Sequence, residues 1–401
     1  MSNLLRIHPS LDLSLNCPKD DTKLEIKNVL IPGMRCLADT VCPQCKARYY
    51  VDLPTGHALW SAIALNQDTA ECYDPRSSGW FGELLRKSFL NPVEDEITPT
   101  VHKFFGAKRI VIVNCLDFLY GHCLLKLLNV QRHLDQSPEL GCCVLVPSQL
   151  VHLVPDGISE IWEIPLPIKD GWKWYFSLQK WIEQQAAQRD DIFLSPVYSH
   201  PSNRTYDLRR FVRNLPDISS EICGDSPILL FSYREDRLWG KNVADQQRNI
   251  QLLYNTLVET FPSLIFVLVG FGKQNQIHYT KGKIIDLRSN SFSVDLDRLW
   301  LRYMSAADCA IGVHGSNMLL PSGLSKATIE LMPYSRLGNL FQDILMPQEL
   351  QDIRIAFLKY RFLYGNESLT DVTVNDVTTV VKSVLLQNSR SEFWFSMGEP
   401  Q

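Results

Sequence analysis

Residues 309–332 read CAIGVHGSNMLLPSGLSKATIELM, and this stretch decides the fold that the rest of the chain is expected to adopt. An apolar run leads into a short turn of small and polar residues, and a second apolar run follows a Gly/Pro/Ser stop. This order predicts a buried strand, a turn with one or two helical turns, and a second buried strand that carries Glu330. Such a succession is typical of a parallel α/β sheet, where ligands bind at the carboxyl ends of strands.

The turn combines features that suit an anionic ligand. Gly312 and Gly315 let backbone amides approach an anion, while Ser316 is placed to cap a helix that begins at Asn317. The N-terminus of that helix adds partial positive charge, and His314 completes the polar cluster. The turn is therefore predicted to hold a diphosphate, with an ordinary strand–turn–helix connection as the alternative.

The same residues carry a family resemblance. The run GVHGSNML at 312–319, with Pro321 and IEL at 329–331, resembles the donor-site signature of glycosyltransferase family 61, which occurs in capsular polysaccharide and plant xylan enzymes. The chain is shorter than that signature between His-Gly and Asn-Met, so it resembles the superfamily. The resemblance implies two Rossmann-like domains of the GT-B type that face a cleft. It also implies transfer of a hexose or pentose from a nucleoside-diphosphate sugar to an acceptor hydroxyl of a glycan, polysaccharide or protein.

A second motif of that family falls in the N-terminal half. The run YGHCLL at 120–125 resembles the Gly/Tyr-His-Trp/Phe-Leu motif that opens a helix beside the cleft, with Cys123 in place of the usual aromatic residue. The resemblance makes Asp117 and His122 the candidate catalytic residues, which would take the proton of the acceptor hydroxyl. A histidine with a purely structural role is the alternative.

Cations follow the first predicted strand of the C-terminal half, at 227–233. In GT-B enzymes such cations neutralise the departing diphosphate. Arg234 and Lys241 match that placement, with Arg237 as an alternative. A solvated charged loop is the other interpretation. Glu330 is expected to bond the ribose hydroxyls. The predicted donor-binding residues are Arg234, Arg237, Lys241, His314, Gly315, Ser316, Asn317 and Glu330. No Asp-x-Asp motif lies in a suitable loop, so catalysis is expected to need no divalent ion or other cofactor.

Cysteines near the N-terminus predict a structural zinc site. Cys42 and Cys45 have the spacing of a zinc knuckle, with Cys36 as the third predicted ligand and His57 or Cys72 as further candidates. Reduced structural thiols are the main alternative. A thioredoxin-like redox pair is a weaker one, because no βαβ pattern surrounds the motif.

Composition bounds the remaining interpretations. The chain has 401 residues, a formal net charge of −4 and 45% hydrophobic residues, which are globular values. Lysine and arginine are scattered, so no nucleic-acid partner is expected. Eleven cysteines, several in apolar runs, indicate reduced thiols. No basic leader and no apolar run of about 18 residues occurs, so a cytoplasmic protein without a transmembrane segment is expected.

Four segments are predicted along the chain. A loop-rich, cysteine-containing segment covers 1–95, an N-terminal Rossmann-like acceptor domain 96–216, and a C-terminal Rossmann-like donor domain 217–365. A helix within 366–401 is expected to cross back to the N-terminal domain. A non-catalytic scaffold that only binds a nucleotide sugar or glycan is the alternative to an enzyme.

Overall fold

The chain divides into two compact units, Met1–Pro201 and Ser202–Gln401. The computed structural model describes residues 4–74, 79–197, 206–222, 224–274, 281–340, 344–346 and 356–396, and it describes no side chain at 80 or 388–396. Among these residues, no helix is both long and apolar enough to cross a membrane.

The described residues of unit 1 form two sheets and four α-helices. Its strands are β1 (Leu5–His8), β2 (Glu25–Leu30), β3 (Leu37–Val41), β4 (Arg48–Asp52), β5 (Ala64–Asn66), β6 (Cys72–Tyr73), β7 (Thr100–Lys103), β8 (Arg109–Asn114), β9 (Gly141–Pro147), β10 (Glu160–Ile164) and β11 (Asp191–Leu194). Its helices are α1 (Trp80–Leu90), α2 (Tyr120–Leu128), α3 (Val130–Gln136) and α4 (Phe176–Ala186).

The larger sheet of unit 1 has the order β1-β11-β8-β9-β10-β7. The four inner strands are parallel, and β1 and β7 pair antiparallel at the edges. Every residue of β9, GCCVLVP, is buried, as expected for a parallel strand that is covered on both faces. The strand order reverses between β8 and β11.

The smaller sheet of unit 1, β2 to β6, is antiparallel. It occupies much of the segment for which the sequence predicts loops. Leu37, Leu53 and Leu65 from this region share one hydrophobic core with Ile110 and Leu145 of the larger sheet. The N-terminal segment is therefore packed into unit 1.

The described part of unit 2 is built on one parallel sheet. Its strands are β12 (Ile228–Tyr233), β13 (Ile265–Gly270), β14 (Lys283–Asp286), β15 (Cys309–Val313), β16 (Thr328–Pro333) and β17 (Tyr360–Gly365). Its helices are α5 (Val243–Val258), α6 (Val294–Ala306), α7 (Leu319–Leu324), α8 (Ala356–Lys359) and α9 (Val374–Ser396). The order β14-β13-β12-β15-β16-β17 is that of a dinucleotide-binding fold, and it reverses between β12 and β15. The prediction of two Rossmann-like domains is confirmed.

The two ends of unit 2 can be compared with the domain boundaries that the sequence predicts. Leu208 packs against Gly323, so the stretch after 206 belongs to unit 2 although the sequence places the boundary at 216. Val377, Val381 and Val384 of α9 lie in the unit 2 core. The crossing of this helix to the N-terminal domain stays a prediction.

Candidate functional site

The polar turn lies where the strand order of unit 2 reverses. Arg234 directly follows β12, and His314 directly follows β15, which is the parallel neighbour of β12. In open α/β sheets, a crevice opens between the carboxyl ends of the two strands at such a point, because their connections run to opposite faces. The structure therefore brings together two parts of the chain that the sequence assigns to one site.

Two side chains hold the guanidinium of Arg234. Its Nη1 donates to Asn317 Oδ1 at 2.7 Å, and its Nε donates to Asp236 Oδ1 at 2.6 Å. Its Nη2 also contacts Asp236, so the guanidinium makes a bidentate pair. Asn317 in turn donates to Ser232 Oγ at 3.0 Å, which ties the loop to β12. Asp236 and Ser232 are contacts that the sequence interpretation missed.

Arg237 reaches the same loop from another direction. Its Nη1 donates to the carbonyl of His314 at 2.8 Å. A Cβ at Gly315 would lie 2.3 Å from Arg234 Nη1 and 2.7 Å from Arg237 Nη1. Gly315 also has φ of 153°, in the region that favours glycine. The missing side chain at 315 is what lets two guanidinium groups approach one stretch of backbone.

The turn after Gly315 is shorter than predicted. Ser316–Met318 forms a 3₁₀ turn and the α-helix begins at Leu319, so the prediction that Ser316 caps a helix starting at Asn317 is wrong. The first turn of such an element leaves its amides without intrahelical partners. Among the described residues, none accepts a hydrogen bond from the backbone amides of Gly315, Ser316 or Asn317.

His314 and Glu330 form a buried pair beneath this loop. His314 Nδ1 lies 2.6 Å from Glu330 Oε2, and both side chains are about 1% exposed. Burial raises the pKa of Glu330 well above its usual range. A raised pKa favours the neutral form of this carboxyl beside the His314 ring. The ribose contact of Glu330 stays a prediction, since its carboxyl bonds to His314 in this structure.

Lys241 lies in the turn before α5. Its backbone amide donates to Asp245 Oδ2 at 3.2 Å, and its side chain is exposed. Within the described ranges, Lys241 makes no hydrogen bond to the loop at 314–317. The role predicted for Lys241 stays a prediction, while Arg237, the alternative cation, bonds to the loop.

A second polar cluster lies near the strand reversal of unit 1. Asp117 follows β8 by three residues, and its Oδ2 accepts from Lys126 Nζ of α2 at 2.8 Å. Its Oδ1 lies 3.3 Å from His122 Nδ1. Burial raises the pKa of Asp117, but Lys126 and His122 outweigh burial and hold it well below the usual range. Asp117 is therefore ionised and is a poor proton acceptor.

His57 belongs to this cluster and not to the cysteines. Its Nε2 lies 3.3 Å from His122 Nδ1, and the two rings meet edge to face at 4.9 Å. The suggestion of His57 as a zinc ligand is therefore wrong. His57 lies far along the chain from Asp117 and His122, and the contact of Lys126 with Asp117 depends on the turn between β8 and α2, so neither contact could be predicted from the sequence.

The predicted zinc ligands do not all meet. Cys42 and Cys45 lie together, but Cys36 is buried in the main core of unit 1, where Asn114 Nδ2 donates to its sulfur at 3.6 Å. Cys72 contacts the carbonyl of Gly82 instead. The prediction of Cys36 as a ligand is wrong, because β3 carries it away from the knuckle. Cys17 and Asp20 stand where Cys36 was expected.

Comparison with known proteins finds no match to any family model or curated protein. Solved structures with a similar arrangement include ADP-heptose LPS heptosyltransferase II of E. coli, at 13% identity and a TM-score of 0.40, over 70% of this chain and 99% of that chain. A glycosyltransferase family 9 protein of Veillonella parvula DSM 2008 has 10% identity and a TM-score of 0.46, over 71% and 100%. E. coli heptosyltransferase WaaC with ADP has 12% identity and a TM-score of 0.43, over 69% and 99%.

All three neighbours are glycosyltransferases, and none connects the chain to family 61. TM-scores below 0.5 carry no inference about activity. The assignment of a function therefore depends on the geometry of the loop after β15 and of the cations around it.

Proposed function

We propose that the chain is a glycosyltransferase that moves a sugar from a nucleoside-diphosphate sugar to an acceptor hydroxyl of a glycan, polysaccharide or protein. The observation that supports this most strongly is the convergence of Arg234 and Arg237 on Gly315 at the strand reversal of unit 2. Guanidinium groups form strong charge-assisted bonds to phosphate, and the loop amides add further donors. A diphosphate satisfies both kinds of donor.

The reaction breaks the bond between the anomeric carbon and the phosphate oxygen of the donor. Negative charge develops on that oxygen, where Arg234 and Arg237 stabilise it more in the transition state than in the bound donor. The acceptor oxygen bonds to the anomeric carbon and gives its proton to a base. Because two cations neutralise the leaving diphosphate, transfer proceeds without an added divalent ion.

His122 is the base in this proposal. The ionised Asp117 contacts His122 Nδ1, and a carboxylate beside an imidazole stabilises the imidazolium that forms on proton uptake. Asp117 is then a positioning residue, in contrast to the catalytic role that its sequence position suggests. The cleft that would bring acceptor and donor together stays a prediction.

One observation favours the non-catalytic alternative. Asp236 already pairs with two nitrogens of Arg234, so a carboxylate occupies donors that a phosphate would use. The side chain of Asp236 is 70% exposed, however, and that of Arg234 only 16%. A phosphate oxygen can replace this exposed carboxylate, because both groups accept from the same guanidinium nitrogens.

Donor cleavage separates an enzyme from a scaffold. Thermal-shift measurements with a panel of nucleotide sugars identify the donor, and product analysis then follows its slow hydrolysis. The wild-type protein is expected to cleave the donor. His122→Gln is expected to bind it equally and to transfer its sugar about 10²- to 10⁴-fold more slowly. Binding without any cleavage, with or without sugar acceptors, would instead identify a scaffold.

A further inference from the structure

Two turns of the N-terminal segment repeat one sequence and one conformation. Cys17-Pro18-Lys19-Asp20 and Cys42-Pro43-Gln44-Cys45 each begin with Cys-Pro and carry a metal-ligating residue type at the fourth position. In each turn, the backbone amide of the first cysteine donates to the carbonyl of the residue five positions later. The backbone carbonyl of the same cysteine accepts from the amide of the residue four positions later. These bonds are Cys17 N to Thr22 O (2.8 Å), Asp21 N to Cys17 O (2.9 Å), Cys42 N to Ala47 O (2.9 Å) and Lys46 N to Cys42 O (3.0 Å).

The four side chains of these turns point at one another. Cys17 Sγ lies 3.7 Å from Cys45 Sγ, and Cys42 Sγ lies 3.6 Å from each carboxylate oxygen of Asp20. One ligand atom from each residue lies within 4.8 Å of the others. A tetrahedral zinc ion with Zn–S of about 2.3 Å and Zn–O of about 2.0 Å separates two sulfurs by about 3.8 Å and a sulfur from an oxygen by about 3.5 Å. Both observed spacings match.

A third turn shows that the conformation itself does not require these ligands. In the turn at 66–71, Asn66 N donates to Glu71 O and Ala70 N donates to Asn66 O, both at 2.9 Å. Ala70 has φ of 56°, close to the 58° of Asp21 and the 61° of Lys46. Here the side-chain oxygen of Asn66 closes its own turn by accepting from the amides of residues 68 and 69. The turn forms without a thiol, so the cysteines at 17 and 42 call for another explanation.

The surroundings of the cluster are poor in apolar contacts. The hydrophobic cluster there has only five buried members, Cys17, Leu24, Cys42, Tyr49 and Val51. Two of these five residues, Cys17 and Cys42, belong to the cysteine cluster itself. A small core of this kind is commonly stabilised by a metal or by disulfides. The thiols are free, since 3.7 Å far exceeds a sulfur–sulfur bond of about 2.05 Å.

We propose that Cys17, Asp20, Cys42 and Cys45 bind one structural zinc ion. The three thiols lose three protons on binding, and three thiolates with one carboxylate around Zn²⁺ give a site of net charge −2. Four protein ligands fill the tetrahedron, so the site has no open position for a substrate. Thiolate-rich tetrahedral coordination selects zinc over magnesium and calcium, which prefer six or more oxygens.

The test is metal analysis of the full chain purified under reducing conditions. About one zinc per chain is expected, and Cys17→Ser and Cys45→Ser are each expected to lose it. Cys36→Ser is the matched control, because it removes a thiol that lies in the main core and outside the cluster, and it should keep the zinc. Asp20→Cys completes a four-thiolate site and is expected to bind zinc more tightly, which also covers the case in which the serine variants fail to fold.

Cobalt substitution gives a second readout. Co²⁺ in the wild-type site is expected to show the strong visible bands of tetrahedral coordination and thiolate charge transfer, with higher intensity in Asp20→Cys. Metal-free protein after purification under reducing conditions would overturn the proposal, and so would one iron per chain. Zinc that persists in both serine variants and disappears in Cys36→Ser would also overturn it. None of these results bears on the proposed glycosyl transfer.

Discussion

Each unit places a histidine–carboxylate contact near its strand reversal, but the two carboxyl groups have opposite electrostatics. Asp117 has the buried cation of Lys126 at 2.8 Å, and its pKa is lowered. Glu330 is equally buried, its Oε1 has no hydrogen-bond partner among the described residues, and its pKa is raised. Lys126 and His122 thus lower the pKa of one buried carboxyl, whereas burial raises the pKa of the other.

The largest expected effect comes from removing that lysine. Lys126→Met leaves Asp117 as a buried charge without its cation, and breaking a buried pair costs about 3–5 kcal/mol of unfolding free energy. Urea unfolding measures this. Lys27→Met is the control, because Lys27 forms an exposed pair with Glu25, and its loss should cost less than about 1 kcal/mol. Equal losses in both variants would show that Lys126 does not hold Asp117 ionised.

The pH dependence of stability sharpens the comparison. Asp117 stabilises the fold above its unfolded pKa of about 3.9, and this contribution is lost as pH falls through its lowered folded value. Glu330 behaves oppositely: its contribution is present below about 4.3 and is lost as pH rises toward its raised folded value. Glu330→Gln should therefore be more stable than the wild-type protein at neutral pH. Its stability advantage over the wild-type protein should be smaller in acid. Parallel stability curves would contradict the raised pKa of Glu330.

Ligand binding by the same variant distinguishes two roles of Glu330. If its carboxyl only positions His314, the affinity ratio between a nucleoside diphosphate and its 2′-deoxy analogue should be the same in Glu330→Gln as in the wild-type protein. If it bonds the ribose hydroxyls, as the sequence predicts, that ratio should collapse toward one, because an amide offers a single acceptor oxygen. The burial of Glu330 favours the unchanged ratio. Calorimetric titration with both nucleotides measures it.

The smallest effect is expected at Asp236. Asp236→Asn removes the charge that competes with phosphate for Arg234, so a nucleoside diphosphate should bind more tightly. The gain should not exceed about fivefold, because exposed ion pairs contribute at most about 1 kcal/mol. A loss of affinity would mean that Asp236 orients Arg234 for the ligand more than it competes with the ligand.

The sequence predicts the parallel sheets well, because buried runs such as β12 and β15 alternate with helical segments and carry their polar residues at the ends. It also locates Arg234 and His314 in one site from their places after strands. It cannot predict the partner of Asp117, since Lys126 meets it only through the turn between β8 and α2. The antiparallel sheet β2 to β6 is missed because its short strands are separated by polar turns that read as loops.

The cysteine cluster shows a different limit of prediction from sequence. The ligand at position 20 is a carboxylate, so a search for paired Cys-x-x-Cys motifs passes over the first turn. The repeated Cys-Pro of Cys17 and Cys42 was the available signal. Which sulfurs meet depends on the pairing of β3 with β4, and that pairing carries Cys36 into the core.

Titration with a nucleoside diphosphate tests the central claim most directly, that Arg234 and Arg237 bind a diphosphate at the Gly315 loop. Arg234→Ala and Arg237→Ala should each weaken binding by about ten- to a hundredfold, because a charge-assisted bond contributes about 1.5–3 kcal/mol. Arg248→Ala, which removes an exposed arginine of α5 in the same unit, should leave the affinity unchanged. Equal affinities in all four proteins would place any nucleotide site elsewhere and would contradict the account.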